Sequence, residues 1–284
     1  MALASDLLDW SEQTGRDLPW RRTRDPWAVL VSELMLQQTQ VARVVPRYAG
    51  FMARFPDPVS CARAPAGAVI EAWSGLGYNR RALNLHRAAT MVVERHGGRL
   101  PRTLDDLTAL PGVGPYTARA VLAFAFEADH GVVDTNASRV LARAVAGRPL
   151  GRREAQALAD QLVPPGRAWA WNQAVLDLGA TVCVSAKPRC AACPLARHCR
   201  WRGSGGPDPA VGSAGSRPRQ SPFHGSDRQG RGRLVQALRR GRVSFDSLAT
   251  EAGWPDDGAR ARRVAAALVT DGLAVEVDGF LSLP

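Results

Sequence analysis

Apolar residues recur at helical spacing through most of the first 200 positions, and the breaks between the runs divide the chain into helices. Leu3, Leu7, Leu8 and Trp10 form a short stripe that ends at Leu18-Pro19-Trp20-Arg21. Residues 26–46, PWAVLVSELMLQQTQVARVVP, predict the next strong helix, with apolar faces from Val29, Leu30, Leu34, Leu36, Val41, Val44 and Val45. Residues 47–101 continue as helices, and Ser74-Gly75-Leu76-Gly77-Tyr78 reads as a turn opening another one. Leu104, Leu107 and Leu110 lead into Pro111-Gly112-Val113-Gly114, and a helix restarts at Pro115 with Ala118, Val121, Leu122, Ala123 and Phe126 on it. Three more helical stretches follow, at 137–147, 153–163 and 170–182. Periodicity then fails over 203–228, which is rich in Gly, Ser and Pro and predicts a flexible linker. Order returns in 229–284 as three helical runs and a hairpin signal, Asp278-Gly279 between LAVEV and FLSLP. Three helices and a hairpin in so short a stretch predict a small winged-helix-like α+β domain.

A chain of 284 residues has room for about two domains. Its net charge of +11 changes the picture more than its length does, because such a balance points to an anionic partner, most commonly nucleic acid. No apolar run reaches membrane-spanning length, and the first ten residues carry Asp6 and Asp9 and no basic segment. The expected setting is therefore the cytoplasm, without membrane attachment. Thiols stay reduced there, so clustered cysteines read as metal ligands rather than disulfides. Cys183, Cys190, Cys193 and Cys199 are separated by six, two and five intervening residues, leaving Cys61 as a buried thiol. By donor chemistry alone, four thiolates suit zinc or an iron–sulfur cluster equally.

Three further features carry two readings each. Gly112 and Gly114 permit a sharp turn, and the bare N–H groups of Gly112, Val113 and Gly114 at a helix start also suit a DNA phosphate. Glu33 falls either on the wet side of its helix or inside the apolar run. In the second case desolvation raises its pKa and makes it a usable general acid. Asp134 or Thr135 is a natural N-cap for the helix after Val132-Val133, and a capping carboxylate held by N–H groups also suits stabilisation of a cation.

The words around these residues resemble a known family. LPGVGPYTA (110–118) resembles the helix-hairpin-helix of the DNA glycosylase superfamily that includes endonuclease III, and VVDTN (132–136) resembles its catalytic aspartate segment. LPWR (18–21) and SELMLQQTQV (32–41) resemble the MutY-type adenine glycosylases, and KPRCAACPLARHC (187–199) resembles the superfamily's iron–sulfur loop. The resemblance runs from about residue 5 to residue 200. It implies an all-α, two-lobed fold followed by the linker and the winged-helix-like domain. The iron–sulfur lobe would be 1–22 with 132–202, and the six-helix barrel lobe 23–131, with its hairpin at 110–116. It further implies a 4Fe–4S cluster on Cys183, Cys190, Cys193 and Cys199.

The activity implied is removal of adenine mispaired with 8-oxoguanine or guanine in double-stranded DNA, by a monomer acting on the nucleoid. Glu33 would protonate the adenine, Asp134 would stabilise the sugar cation, and Tyr116 and Asn136 would support them. Trp20, Arg21, Leu36, Thr39 and Gln173 would contact the extruded base or its surroundings, while Gln38 and Tyr78 would enter the base stack. The endonuclease III branch has glutamine in place of Glu33 and a Schiff-base lysine in place of Tyr116, so this chain is expected to act without strong lyase chemistry. Alternatives are a thymine-mismatch glycosylase, which also carries tyrosine after the hairpin, an endonuclease III-like lyase and a non-catalytic DNA-binding protein. The family's larger Nudix-like C-terminal domain has no counterpart in the short stretch after the linker.

Overall fold

The computed structural model describes residues 2–213 and 222–284. The chain divides into two compact units. The first comprises Met1–Val29, Arg102–Thr108 and Val113–Pro218, and the second Leu30–Pro101, Ala109–Gly112 and Arg219–Pro284.

In the first unit, α1 (Ala2–Thr14) packs against α11 (Ala168–Thr181), which also meets α9 (Thr135–Val140) and α8 (Pro115–Ala125). Leu7, Ala118, Val121, Trp171, Ala174 and Leu178 form the dry interior there. Helix α9 passes into a wider π-helical turn, Leu141–Ala146, closed by Gly147 in the left-handed conformation. Leu141 and Ala142 pack with Ala155 and Ala159 of α10 (Arg152–Leu162).

The second unit holds most of α2 (Pro26–Leu36), then α3 (Val41–Arg54), α4 (Pro58–Arg63), α5 (Ala66–Ala72) and α6 (Arg80–His96). Helix α4 begins at a capping box between Asp57 and Ser60. Helix α6 ends at Gly97, whose φ of 59° a side-chain-bearing residue adopts only with strain. Phe51 meets Trp73 edge to face, with ring centroids 5.7 Å apart, beside the buried Ile70 and Leu85.

The C-terminal stretch belongs to this second unit. It contains α13 (Asp227–Leu238), β1 (Val243–Ser244), α14 (Leu248–Ala252), α15 (Gly258–Thr270), β2 (Val275–Val277) and β3 (Phe280–Ser282). The strands form an antiparallel sheet in the order β1-β3-β2, with Val243 and Glu276 both opposite Leu281. The expected winged-helix-like arrangement is present, with one strand more than the hairpin signal indicated. A two-residue strand is too short to show alternation in sequence, and only its pairing with β3 defines β1.

The linker reading needs correction over its first part. Residues 200–204 are helical (α12, Arg200–Ser204). Asp208 forms an ion pair with Arg143 at 2.5 Å, and the Ser213 hydroxyl, buried in the first unit, accepts a hydrogen bond from the Leu150 N–H. Composition suggested a segment too polar to order itself, yet here two polar side chains find buried partners elsewhere in the fold. Residues 214–221 of the expected linker lie outside the described residues.

Candidate active site

Glu33 sits on α2 in a run, Trp27 to Met35, that is buried at every position. Helical periodicity left it between a wet and a dry face, and at 6% exposure the dry reading holds. Helix α2 ends at Leu36, which is half-buried, and the chain then turns through Gln38, exposed and held at φ 58°. Tyr78, 45% exposed, is held at φ 46°. A left-handed backbone at a residue with a Cβ costs about 1–3 kcal/mol and persists only where the surroundings enforce it. The two residues expected to enter the base stack thus share an uncommon conformation and lie in one unit.

Arg81 enforces it, and no motif announced this residue. It is 7% exposed. One terminal nitrogen donates to the carbonyls of Leu34 (2.7 Å), Met35 (2.8 Å) and Gln37 (2.6 Å). The other donates to the Thr39 hydroxyl (2.9 Å) and to the carbonyls of Leu76 (3.2 Å) and Gly77 (3.1 Å). These acceptors are the C-terminal end of α2, the Gln38 turn and the Tyr78 loop, so one planar cation ties together the segments carrying Glu33, Gln38 and Tyr78. Burial pulls its pKa down to about 10, which leaves it charged at neutral pH. A signal was available, since Arg81 falls on the same helical stripe as Leu85, Ala88 and Val92. Thr39 also donates to the Leu76 carbonyl, and Gln37 reaches the Gly112 carbonyl at 3.4 Å.

The hairpin is formed locally as expected, between α7 (Leu104–Thr108) and α8. Gly112 has φ 80°, and a Cβ there would lie 2.8 Å from that of Asn84, so both its backbone and its space require glycine. Val113 is buried, and Gly114 caps α8 in extended conformation, with Pro115 at the first helical position. Tyr116 is half-buried in the first turn of α8.

In the first unit, Asp134 is the N-cap of α9. It accepts from the N–H groups of Asn136 (2.8 Å) and Ala137 (2.7 Å) and from the Asn136 side-chain amide (2.9 Å). Burial nevertheless raises its pKa, outweighing those three donors. Asn136 accepts from Arg139 at 2.8 Å, and Arg139 also donates to the carbonyls of Gly179 and Cys183, both at 2.6 Å. A chain of hydrogen bonds therefore connects Asp134 to the start of the cysteine loop.

Trp20 is buried on a short 3₁₀ turn, Pro19–Arg21. Arg21 makes two 2.7 Å hydrogen bonds to Asp177, which is 1% exposed and is also gripped by Arg16. That carboxyl is held below the ordinary aspartate range by its arginines in spite of burial. Arg21 thus fixes the Trp20 turn to α11, the helix on which the buried Gln173 lies one turn before Asp177.

The four clustered cysteines form no disulfide, and with Val140, Leu178 and Trp201 they line one cavity. Burial pushes the Cys193 thiol up to about 11 and raises Cys183 as well. Arg143, 1% exposed, holds the loop, donating to the carbonyls of Val184 (2.7 Å) and Ser185 (3.0 Å) and approaching the Cys183 sulfur at 3.6 Å. Among the described residues, no three cysteine, histidine or acidic side chains converge on a single ion-sized point.

Residues 31–165 match the family model described as HhH-GPD superfamily base excision DNA repair protein. Among solved structures, a thermostable thymine-DNA glycosylase superposes with a TM-score of 0.66 at 30% identity, over 70% of this chain and 94% of that one. An endonuclease III trapped covalently on DNA superposes with a TM-score of 0.61 at 23% identity, over 70% and 93%, which supports the fold. The chain is 41% identical to the adenine DNA glycosylase of Mycolicibacterium smegmatis over 98% of its length and 94% of that protein. It is 45% identical to human adenine DNA glycosylase over 71% of its length and 39% of the human protein. The chain belongs to the helix-hairpin-helix base excision repair glycosylases, in their MutY-type branch. No helix of the described residues is long and apolar enough to cross a membrane.

Proposed function

We propose that this chain hydrolyses the N-glycosidic bond of adenine mispaired with 8-oxoguanine or guanine in duplex DNA. It acts as a monomer on nucleoid DNA in the cytoplasm. The observation that supports this reading is the 41% identity, over nearly the full length of both chains, to the Mycolicibacterium smegmatis adenine DNA glycosylase. Three physical problems define the reaction. The base must leave the stack, which costs a few kcal/mol. Adenine leaves readily only once a ring nitrogen is protonated. The sugar passes through a cationic state that needs fixed negative charge nearby.

Gln38 and Tyr78 fill the gap left by the extruded nucleotide. Trp20, Leu36, Thr39 and Gln173 take the base-contacting roles, with Arg21 holding the Trp20 turn, and the N–H groups of Gly112, Val113 and Gly114 receive a phosphate. Glu33 donates the proton to adenine N7 and orients the attacking water. Asp134, ionised, faces the sugar cation, and Asn136 orients it through their 2.9 Å hydrogen bond. Tyr116 supports Glu33 and the substrate, and its phenol forms no Schiff base, so the product is an abasic site. A thymine-mismatch activity is the second reading, favoured by the 30% identical thymine-DNA glycosylase structure.

One assay separates the readings. Duplexes containing A:8-oxoguanine, A:G, A:C and T:G are incubated with the chain and split with or without alkali. The expected result is alkali-dependent cleavage at adenine only, with no efficient borohydride-trapped adduct. Cleavage at T:G alone supports the second reading, and an efficient trapped adduct refutes the monofunctional one.

The cysteine cavity is proposed to hold a 4Fe–4S cluster, ligated by Cys183, Cys190, Cys193 and Cys199. Held by these four side chains, a bound cluster would favour their thiolate forms and cross-link a loop whose own apolar content is small. Metal analysis of anaerobically purified protein is expected to give about four irons per chain. Cys193→Ser is expected to lose the visible absorbance and to lower the melting temperature. One zinc per chain would contradict the assignment.

A further inference from the structure

The C-terminal α+β region is the part of the molecule that the proposed chemistry does not use. Direct DNA binding is its obvious role, but its charge argues against it. Residues 222–284 contain nine arginines and eight carboxylates, so nearly all of the chain's net charge of +11 lies elsewhere. Several of the nine are already paired: Arg260 and Arg263 with Asp227, Arg240 with Glu251, and Arg231 with Asp271. A phosphate-binding surface requires an excess of cations over carboxylates, and here the two nearly balance while four of the nine arginines are in ion pairs.

The region instead packs closely on helices of its own unit. The Gly67 N–H donates to the Pro284 carbonyl at 2.6 Å, and a Cβ on Gly67 would lie 2.5 Å from that oxygen. Gly272 lies within 3.0–3.3 Å of Arg87 and Leu83 of α6, measured from where its Cβ would be. The most specific contact is Arg239, at the end of α13. Its guanidinium donates to the Ile70 carbonyl at 2.8 Å and to the Asn79 side-chain oxygen at 2.9 Å. Its Nε is buried without a hydrogen-bond partner. A buried guanidinium left partly unsatisfied is costly, so a purely structural contact would be better served by an apolar residue.

Asn79 directly follows Tyr78 and immediately precedes α6. The loop before it contains Gly75, Gly77 and Tyr78, all with positive φ. Arg81 holds the loop through its Leu76 and Gly77 carbonyls, and Arg239 reaches it separately through the Asn79 side chain. We propose that Arg239 is a positioning residue for base excision: the C-terminal region braces the Tyr78 loop through the Arg239–Asn79 hydrogen bond, so that the tyrosine is preorganised to enter the base stack. This inference rests on the reading of Tyr78 as the stack-entering residue. The region thereby contributes to extrusion of the base without itself touching DNA.

The test uses the full chain with Arg239→Met, Asn79→Ala, both together, Asn79→Asp and Tyr78→Ala. The readouts are single-turnover excision from an A:G duplex, the fluorescence rise of 2-aminopurine placed at the target position, and the melting temperature. Arg239→Met and Asn79→Ala are each expected to lower excision by about tenfold and to reduce the fluorescence rise in parallel. The double variant is expected to be no worse than either single one, because the two side chains form one contact. Asn79→Asp keeps an acceptor for the guanidinium and is expected to retain most of the activity. Wild-type rates and fluorescence in both single variants would overturn the inference, as would losses that multiply in the double variant. A lower melting temperature with excision and fluorescence unchanged would likewise reduce the contact to a structural one. A wild-type chain that removes no adenine, or a Tyr78→Ala variant that extrudes the base normally, would instead refute the functional reading and the inference with it.

Discussion

Glu33→Gln is expected to lower adenine excision by about 10³-fold, in the range general acid catalysis supplies, while affinity for the mispaired duplex changes little. The substitution preserves volume, so the buried run from Trp27 to Met35 should repack without a cavity. What is lost is a proton donor, since an amide has none of useful acidity. Adenine with an unprotonated ring is a poor leaving group, and the cationic sugar state is then reached too rarely for turnover. Binding depends chiefly on phosphate contacts and on the residues that enter the stack, none of which is changed. Single-turnover kinetics beside a gel-shift titration separates the two effects. Near-normal excision by the variant would rule out Glu33 as the acid.

Arg81→Met is expected to have the second-largest effect, and of a different kind. It removes the donor shared by six main-chain carbonyls, that of Tyr78 included, and the Thr39 hydroxyl, leaving several buried acceptors unsatisfied. The cost to folding should be about 3–5 kcal/mol, as for breaking other buried charged networks. In the surviving folded fraction the Gln38 turn and the Tyr78 loop lose their common anchor. Excision per folded molecule should fall by about 10²-fold, the usual penalty for displacing positioning groups by an ångström or so. Arg81→Lys should recover only part of either loss, because an ammonium cannot supply the planar fork that reaches both segments. Urea denaturation gives the first quantity, and active-site-titrated single-turnover rates give the second. Full activity in a stably folded Arg81→Met chain would show that neither loop depends on this residue.

The arginines also mark where sequence reading stopped short. As letters, Arg81, Arg139, Arg143 and Arg239 look like parts of the excess positive charge that points to DNA. In the fold, each reaches carbonyl oxygens within its own unit. Arg81 lies on an apolar helical stripe, and Arg143 follows Val140 by three positions, so periodicity held a trace of their burial. It held no trace of their acceptors, which come from residues up to 169 positions away. The linker reading failed for the same reason: the order of residues 205–213 depends on distant partners such as Arg143 and Leu150. Asp134 shows the limit in electrostatics. Its role as an N-cap was legible from three consecutive letters, but the upward direction of its pKa depends on how deeply the surrounding chain buries it.

The sequence by itself determined the helices, the Gly112 turn and the winged-helix-like ending, because these follow from periodicity, capping and backbone freedom within a few residues. It also made the four cysteines a metal-site candidate by density and spacing. Tertiary structure alone decided that Glu33 is dry, that Gln38 and Tyr78 share one anchor in Arg81, and that the C-terminal region grips Asn79. Burial and hydrogen-bond partnership depend on which distant segments meet, and local pattern carries no record of that.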